Sequence, residues 1–446
     1  MMNKAKSITS DMLNKFKKDF EADRVNLVLQ NAASKTAISD LVYVPSSKVG
    51  RDHQFSIDIK TLPVANQKAS GRCWIFAALN TLREIVAKKC NLQKFELSQN
   101  FTAFYDKLEK INYALESVID VLDKDPDERY FSTILHTAVG DGGQWDMFKS
   151  LVKKYGVAPK NVMDETFQSS ATRESDWLIN TQIRNFAAKA KKLHSEGKDE
   201  EIQTLKLETL EDLYRVITIS FGQPVDKFDF EYVDKDGNYH LDRDLTPKSF
   251  FDKYIGVEID DLVSIVNAPT KDKPYYETFT VDYVGNVIGG DDIHYLNLPM
   301  NELKELVIKQ LKDGEIVWFG SDCGKFASRV GGMWAPEQFD YKSSFGLDLD
   351  YTKEDGLDFA QSAMNHAMVI TGVNLIDDKP TKWKIENSWG NEVAYQGYYT
   401  ASDLWFDRFV YQAVVNKKYL TSKQLEALNK EPKHLTPWDP MGTLAD

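Results

Sequence analysis

The run Asn66-Gln67-Lys68-Ala69-Ser70-Gly71-Arg72-Cys73-Trp74 leads directly into Ile75-Phe76-Ala77-Ala78-Leu79-Asn80-Thr81-Leu82-Arg83-Glu84-Ile85-Val86 and constrains this chain more than any other stretch. Apolar residues at 75, 79, 82 and 86 recur at helical spacing, and the small, turn-prone residues 69–71 read as a loop feeding a helix start. Cys73 then falls in the first helical turn. There the backbone N–H groups lie outside the helical ladder and the helix dipole is positive, so a thiol is drawn toward thiolate, the form that attacks carbonyl carbon. Taken alone, a cysteine in an apolar helix reads as a small buried hydrophobe. The polar, glycine-containing approach is what a structural cysteine does not need. Gln67, six residues ahead of Cys73, can fold its amide beside the Cys73 N–H and so complete a two-donor oxyanion site.

Two downstream stretches supply what a nucleophile requires. Met364-Asn365-His366-Ala367-Met368-Val369-Ile370-Thr371-Gly372-Val373 places a histidine at the head of an apolar strand, and Trp383-Lys384-Ile385-Glu386-Asn387-Ser388-Trp389-Gly390 reads as a strand ending in a polar-aromatic turn. A lone histidine before a strand is ordinarily structural. Glutamine and cysteine, then histidine, then Asn-Ser-Trp-Gly each supply a different part of one acyl-transfer site.

With those motifs in place the chain resembles the papain superfamily of cysteine peptidases, and within it the bleomycin hydrolase and aminopeptidase C family. The matching runs are Asn66 to Leu82, Phe95-Glu96-Leu97-Ser98-Gln99, Gly140-Asp141-Gly142-Gly143-Gln144-Trp145-Asp146-Met147, Asn365 to Val373, Lys384 to Gly390, and Pro437-Trp438-Asp439-Pro440-Met441-Gly442. The resemblance implies an α+β, papain-like two-lobed fold, with a helical lobe carrying the nucleophile and a β-rich lobe carrying His366 and Asn387. It implies cysteine aminopeptidase chemistry without metal or organic cofactor. Cys73 attacks the peptide carbonyl, His366 takes the thiol proton, and Asn387 orients the imidazole. Gln67 stabilises the oxyanion, and Trp389 shields the His366–Asn387 bond. Gly142 and Gly143 line the substrate cleft and hold the peptide backbone. A homohexamer whose active sites face an inner channel is likewise an implication of the resemblance.

The expected organisation is an N-terminal arm (1–60), a helical catalytic lobe (61–165), an insertion (166–300), a β-rich catalytic lobe (301–430) and a C-terminal arm (431–446). Chains average roughly 100–200 residues per domain, so 446 residues allow either two or three domains or one enzyme core with large insertions. The separation between Cys73 and His366 exceeds what a compact papain-like core needs, which places insertions between them. Hydrophobic content of 42% suffices for a large core. A run of about 18 apolar residues, the minimum for a membrane span, is not found, and the polar start Met1-Met2-Asn3-Lys4-Ala5-Lys6 argues against a secretory leader. Three cysteines, Cys73, Cys90 and Cys323, offer no disulfide framework and fit a reducing cytoplasm. The net charge of −13 disfavours nucleic acid and anionic membranes as partners, and peptides as substrates are what the resemblance implies.

Along the chain, residues 7–30 read as one helix with Met12, Phe16 and Phe20 on a face, and residues 95–125 as another with Phe101, Phe104, Tyr105 and Leu108 toward a core. Residues 175–215 are helical, and 228–240 form a hairpin about Asp236-Gly237. Asp234-Lys235-Asp236-Gly237-Asn238 superficially resembles a calcium loop, but its glycine is misplaced and no glutamate closes it, so no metal site is assigned. Cys323 is a rival nucleophile that lacks the oxyanion glutamine and the following apolar helix, and His294 has no matching ligand cluster.

The ending Pro437 to Asp446 looks like the family's terminal arm, whose carboxylate lies in the cleft and pairs with the free amino group of the substrate. Ala445 and Asp446 are therefore the expected substrate-facing residues. Thr443 stands where the family often has alanine, and Asp446 extends past the alanine at which many members end. Either Asp446 is trimmed to leave the Ala445 carboxylate as anchor, or it stays and shifts the negative charge. The alternatives are an endopeptidase of the same family with a displaced arm, and a noncatalytic scaffold or nucleic-acid-binding relative.

Overall fold

A computed structural model describes residues 6–47, 52–329 and 331–445. Within it the helix Cys73–Lys89 is covered on almost every side. Cys73, Ala77, Ala78 and Val86 are fully enclosed, and Lys88 and Lys89 sit in the last turn, where cations offset the negative helix end. The neighbouring helix Gln99–Asp120 starts on a Ser98 cap that accepts from Phe101 N–H at 3.0 Å, and it buries Phe101 and Phe104 as the spacing requires. With the helices Trp145–Tyr155, Arg173–Ser195 and Asp199–Phe221, these elements form one apolar cluster.

A second cluster fills the body of an 11-stranded mixed sheet. Its order runs Lys433–Leu435, Thr278–Val281, Tyr295–Asn297, Leu262–Val266, Val410–Asn416, Val317–Ser321, His366–Ile376, Lys379–Glu386, Tyr398–Ser402 and Met333–Trp334, with Ile57–Asp58 also pairing with His366–Ile376. Strand His366–Ile376 lies between the two clusters. Ala367 and Val369 join the helical cluster while Met368 and Ile370 join the sheet cluster, the alternation a strand imposes. Two lobes therefore meet along the strand that begins with His366. Arg83 of the nucleophile helix bonds Glu386 at 2.9 Å with both side chains enclosed, and Asn80 and Thr61 bond the same carboxylate. That buried pair ties the nucleophile helix to the residue preceding Asn387.

By contact the chain forms two compact units, Met1–Val49 with Ala335–Tyr351, and Gly50–Trp334 with Thr352–Asp446. In the smaller unit, the single helix expected over 7–30 is two, Ser10–Ala22 and Arg24–Ala33. Asp23 leaves helical geometry at φ −100° and ψ 111°, and its carboxylate accepts from Val25 N–H at 2.9 Å, capping the second helix. The helical stretch 175–215 is likewise two helices with Gly197 at φ +69° between them. Its unbroken Lys/Glu pattern conceals the turn.

Candidate active site

Cys73 opens its helix, so its backbone N–H is one that an α-helix leaves out of its own ladder. The opposite lobe delivers strand His366–Ile376 to that point, where Ala367 N–H donates to Cys73 Sγ at 3.4 Å. The sulphur thus lies against the peptide that joins His366 to Ala367. Both Cys73 and His366 are buried.

Hydrogen bonding assigns the histidine's proton. Asn387 Oδ1 receives the backbone N–H of Ser388 at 2.7 Å, and an N–H can only donate, so this atom is the amide's acceptor. His366 Nε2 lies 2.9 Å from the same oxygen and must carry the hydrogen. Nδ1 is left as the basic nitrogen. The Trp389 ring lies 5.2 Å from the imidazole, tilted by 32°, and covers it with the Arg329 guanidinium stacked beyond at 4.8 Å.

Gln67 Nε2 donates one hydrogen to Ser70 O at 2.7 Å, which orients the amide and keeps its second hydrogen for another acceptor. Its backbone N–H donates to Ser388 O at 2.9 Å, and Gly390 N–H to Ala65 O at 3.0 Å, so the donor loop is stitched to the Asn387 turn. Gly390 has φ +81°, and a Cβ there would stand 2.7 Å from Asn66 Nδ2. Only glycine closes this junction.

Burial pushes His366 down to about 4, against the opposing pull of its bond to Asn387. A lone imidazolium is thereby disfavoured, whereas a thiolate–imidazolium pair is net neutral and has mutual attraction to offset desolvation. Removing the thiol should expose the difference. In Cys73→Ala, an NMR titration of His366 should give a midpoint near the buried value of about 4, and a midpoint at or above the ordinary 6.5 would contradict this account. Because the folded value lies below the unfolded one, the neutral ring's contribution to stability is complete above 6.5 and is lost as pH falls toward 4.

The segment beside the nucleophile is held just as closely. Lys110 Nζ donates to Gly140 O at 3.2 Å and Gly142 O at 2.6 Å. Asp141 accepts from Gly71 N–H at 2.7 Å, and its carbonyl accepts from the Trp74 indole at 2.7 Å. Gly143 and Ala445 exchange backbone hydrogen bonds at 3.1 and 3.3 Å, an antiparallel bridge with Ala445 fully buried. A Cβ on Gly143 would come within 2.3 Å of the Trp74 ring, so residue 143 must be glycine for the chain to approach this closely. Asp446 lies outside the described residues. A cleft of about 820 Å³ adjoins this bridge, lined by Lys110, Gly142, Asn365, Trp438 and Leu444 among others. A larger cavity of about 1160 Å³ lies behind the nucleophile helix against Ile85, Trp145 and Trp318, and its lining includes none of Gln67, Cys73, His366 or Asn387.

The structure therefore brings Gln67, Cys73, His366, Asn387 and Trp389 together, and separately pairs Gly143 with Ala445. Asp141, Lys110 and Glu386 were not singled out in the sequence. The signal for Asp141 was its place inside the Gly140–Gly143 motif and that for Glu386 its place just before Asn387; Lys110 carried none. Cys323 lies near the site, with its N–H on Asn365 Oδ1 at 3.1 Å, but burial pushes its thiol up to about 12, away from thiolate. Asp234 accepts from the N–H groups of Asp236 and Asn238 and meets His240 Nε2 at 2.9 Å, so the calcium-like run satisfies itself as a turn. Among the described residues no group of three or more His, Cys, Asp or Glu could hold a metal ion, and no helix is long and apolar enough to cross a membrane.

Known proteins resemble this chain along nearly its whole length. A family model described as the Peptidase C1-like family matches residues 7–442. Aminopeptidase C of Lactobacillus helveticus is 46% identical and that of Lactobacillus delbrueckii subsp. lactis 45%, each over 99% of both chains. Aminopeptidase G of the latter organism is 39% identical over 97% of this chain and 98% of its own. A crystal structure of pepw from Lactobacillus rhamnosis superposes with a TM-score of 0.96 at 47% identity, covering 98% of this chain and 99% of that one.

Proposed function

The chain belongs to the Peptidase C1-like family, is by that kinship a cysteine-type aminopeptidase with the papain-like α+β fold, and we propose that it removes N-terminal residues through a thioester on Cys73. In this reading Nδ1 of His366 takes the thiol proton and the sulphur attacks the carbonyl of the first peptide bond. The Cys73 N–H and the second hydrogen of Gln67 Nε2 receive the oxyanion, each donor contributing on the order of 3 kcal/mol to the transition state. Asn387 holds the ring so that Nδ1, not Nε2, faces the sulphur. The imidazolium protonates the leaving amine, and the same nitrogen then activates the water that cleaves the thioester. The single observation that carries the assignment is that the strand headed by the Asn387-oriented His366 meets Cys73 at a helix N-terminus, through Ala367 N–H on the sulphur.

The Gly143–Ala445 bridge supports removal of residues from one end. The arm takes the backbone pairing that residues upstream of the cut would use, so the substrate's first residue must begin where the arm stops. Its ammonium group then meets the arm's terminal carboxylate, on Ala445 if Asp446 is trimmed and on Asp446 if it is not. We place the enzyme in the cytoplasm, where its free cysteines stay reduced. We further propose a homohexamer, supported by Met12, Leu13, Phe16, Phe20 and Val28, which two N-terminal helices leave exposed.

Matched fluorogenic peptides with free and acylated amino groups test the assignment. The free series should be cleaved about 100-fold or more faster, the usual consequence of removing one partner from a desolvated charge pair. Equal cleavage of both series would favour the endopeptidase reading. Light scattering on the same preparation should give six times the 50.9 kDa chain mass, and a monomeric mass would remove the hexamer.

A further inference from the structure

We propose that Asp141 is a positioning residue that couples the nucleophile loop to the strand that receives the peptide, so that Cys73 and Gly143 are held as one unit. The inference rests on the peptidase reading and deepens it. Asp141 lies two residues before Gly143, and its carboxylate accepts from Gly71, two residues before Cys73. Its own carbonyl accepts from the indole of Trp74, whose ring is the surface against which Gly143 packs. Motion of either segment therefore breaks a bond at Asp141.

The carboxylate is built to stay charged and in place. It is 5% exposed, Lys107 Nζ lies 2.7 Å from Oδ1, and Thr172 Oγ1 donates to Oδ2, the oxygen that also receives Gly71 N–H. Burial opposes ionisation of Asp141, and Lys107, Thr172 and Gly71 together overcome it, holding the carboxyl well below the ordinary range. Lys107 also bonds Asp176 at 2.5 Å. Burial pushes Asp176 up to about 6, countered in part by Lys107. The two aspartates thus share one cation, but the bonds to Gly71 and Trp74 belong to Asp141 alone. This separates a role in holding the site from a role in balancing a buried lysine.

The experiment compares Asp141→Asn with Asp176→Asn in the full-length enzyme, reading kcat, KM, melting temperature and the rate of thiol alkylation by iodoacetamide. Asp141→Asn should lower kcat by about 10- to 100-fold, the range for losing a charge-assisted buried hydrogen bond. Its KM and alkylation rate should stay within about threefold, because a small electrophile needs the thiol but not the peptide-binding strand. Asp176→Asn should keep kcat near the wild-type value even if its melting temperature falls. Equal losses of kcat in the two variants, or unchanged kcat in Asp141→Asn, would overturn the proposal. Should Asp141→Asn fail to fold, Thr172→Val decides, since it removes one of the two donors to the carboxylate oxygen that holds Gly71 while sparing the ion pair. A severalfold fall in kcat with a native melting curve is then expected, and no change would overturn the proposal. Each ratio is taken on whichever peptide the wild-type enzyme turns over, so failure of the aminopeptidase assignment would show in the wild-type panel instead.

Discussion

Cys73→Ala will retain less than about one part in 10,000 of wild-type turnover, as expected when a nucleophile is removed from a group that acts as a unit. The fold will hardly notice. Cys73 is fully buried in a helix whose other enclosed positions are mainly apolar, and deleting one heavy atom costs roughly 1 kcal/mol of buried contact. Activity and melting temperature should therefore separate cleanly. His366→Ala should fall to a similar level, and the double variant no further, because neither group performs acyl transfer without the other. Cys323→Ala is the comparison that identifies which thiol matters, and it should keep wild-type turnover. Turnover above about 1% in Cys73→Ala, measured on protein with a native melting curve, would remove Cys73 as the nucleophile.

The parts of this site that were legible in the sequence are those whose signal is local. Cys73 sits at a loop-to-helix junction marked by small residues and by the 75, 79, 82, 86 spacing, and His366 heads a run of strand-forming residues. Both elements form where the pattern puts them. Asp141 was visible as a letter in a glycine motif, yet its role depends on Lys107, which lies on a helix whose sequence shows mainly an aromatic face. No periodicity announces such a pairing. Glu386 and Arg83 escaped for the same reason, since each belongs to an element of otherwise apolar or alternating character and their meeting depends on how two lobes pack. The order of the large sheet was also hidden: Leu262–Val266 pairs with Val410–Asn416, and Thr278–Val281 with Lys433–Leu435, across separations that composition cannot encode. The helix break at Asp23 is a milder case, where the spacing of Met12, Phe16 and Phe20 marks the first helix and carries no sign of the cap that starts the second.

Removing residues 443–446 should convert preference into indifference: cleavage of free-amine peptides will fall about 100-fold while acylated and longer peptides gain cleavage. The reasoning starts from how the arm is held. Strand Lys433–Leu435 pairs parallel with Thr278–Val281, the Arg129 guanidinium stacks on Trp438 at 4.1 Å, Asp439 pairs with the buried Lys273 at 2.8 Å, and Tyr295 donates to Met441 O at 3.3 Å. All of these anchors precede residue 443 and survive the deletion. What is lost among the described residues is the bond from Gln144 to Thr443 O at 2.8 Å, the bonds from Thr443 N–H and Oγ1 to Pro440 O, and the two bonds between Gly143 and Ala445. At about 1 kcal/mol each, their loss leaves the domain folded. Gly143 then offers its N–H and C=O to whatever chain enters the cleft, so a peptide with residues upstream of the cut regains the pairing that the arm had taken. At the same time the charge that would receive a free ammonium group is gone. An intact mass of the active full-length enzyme assigns that charge beforehand, since a mass short by one aspartate puts the carboxylate on Ala445 and the full mass puts it on Asp446. If the truncated enzyme melts normally and still favours free over acylated peptides to the wild-type degree, the arm does not set the site's preference, and recognition of the amino terminus must lie elsewhere in the cleft.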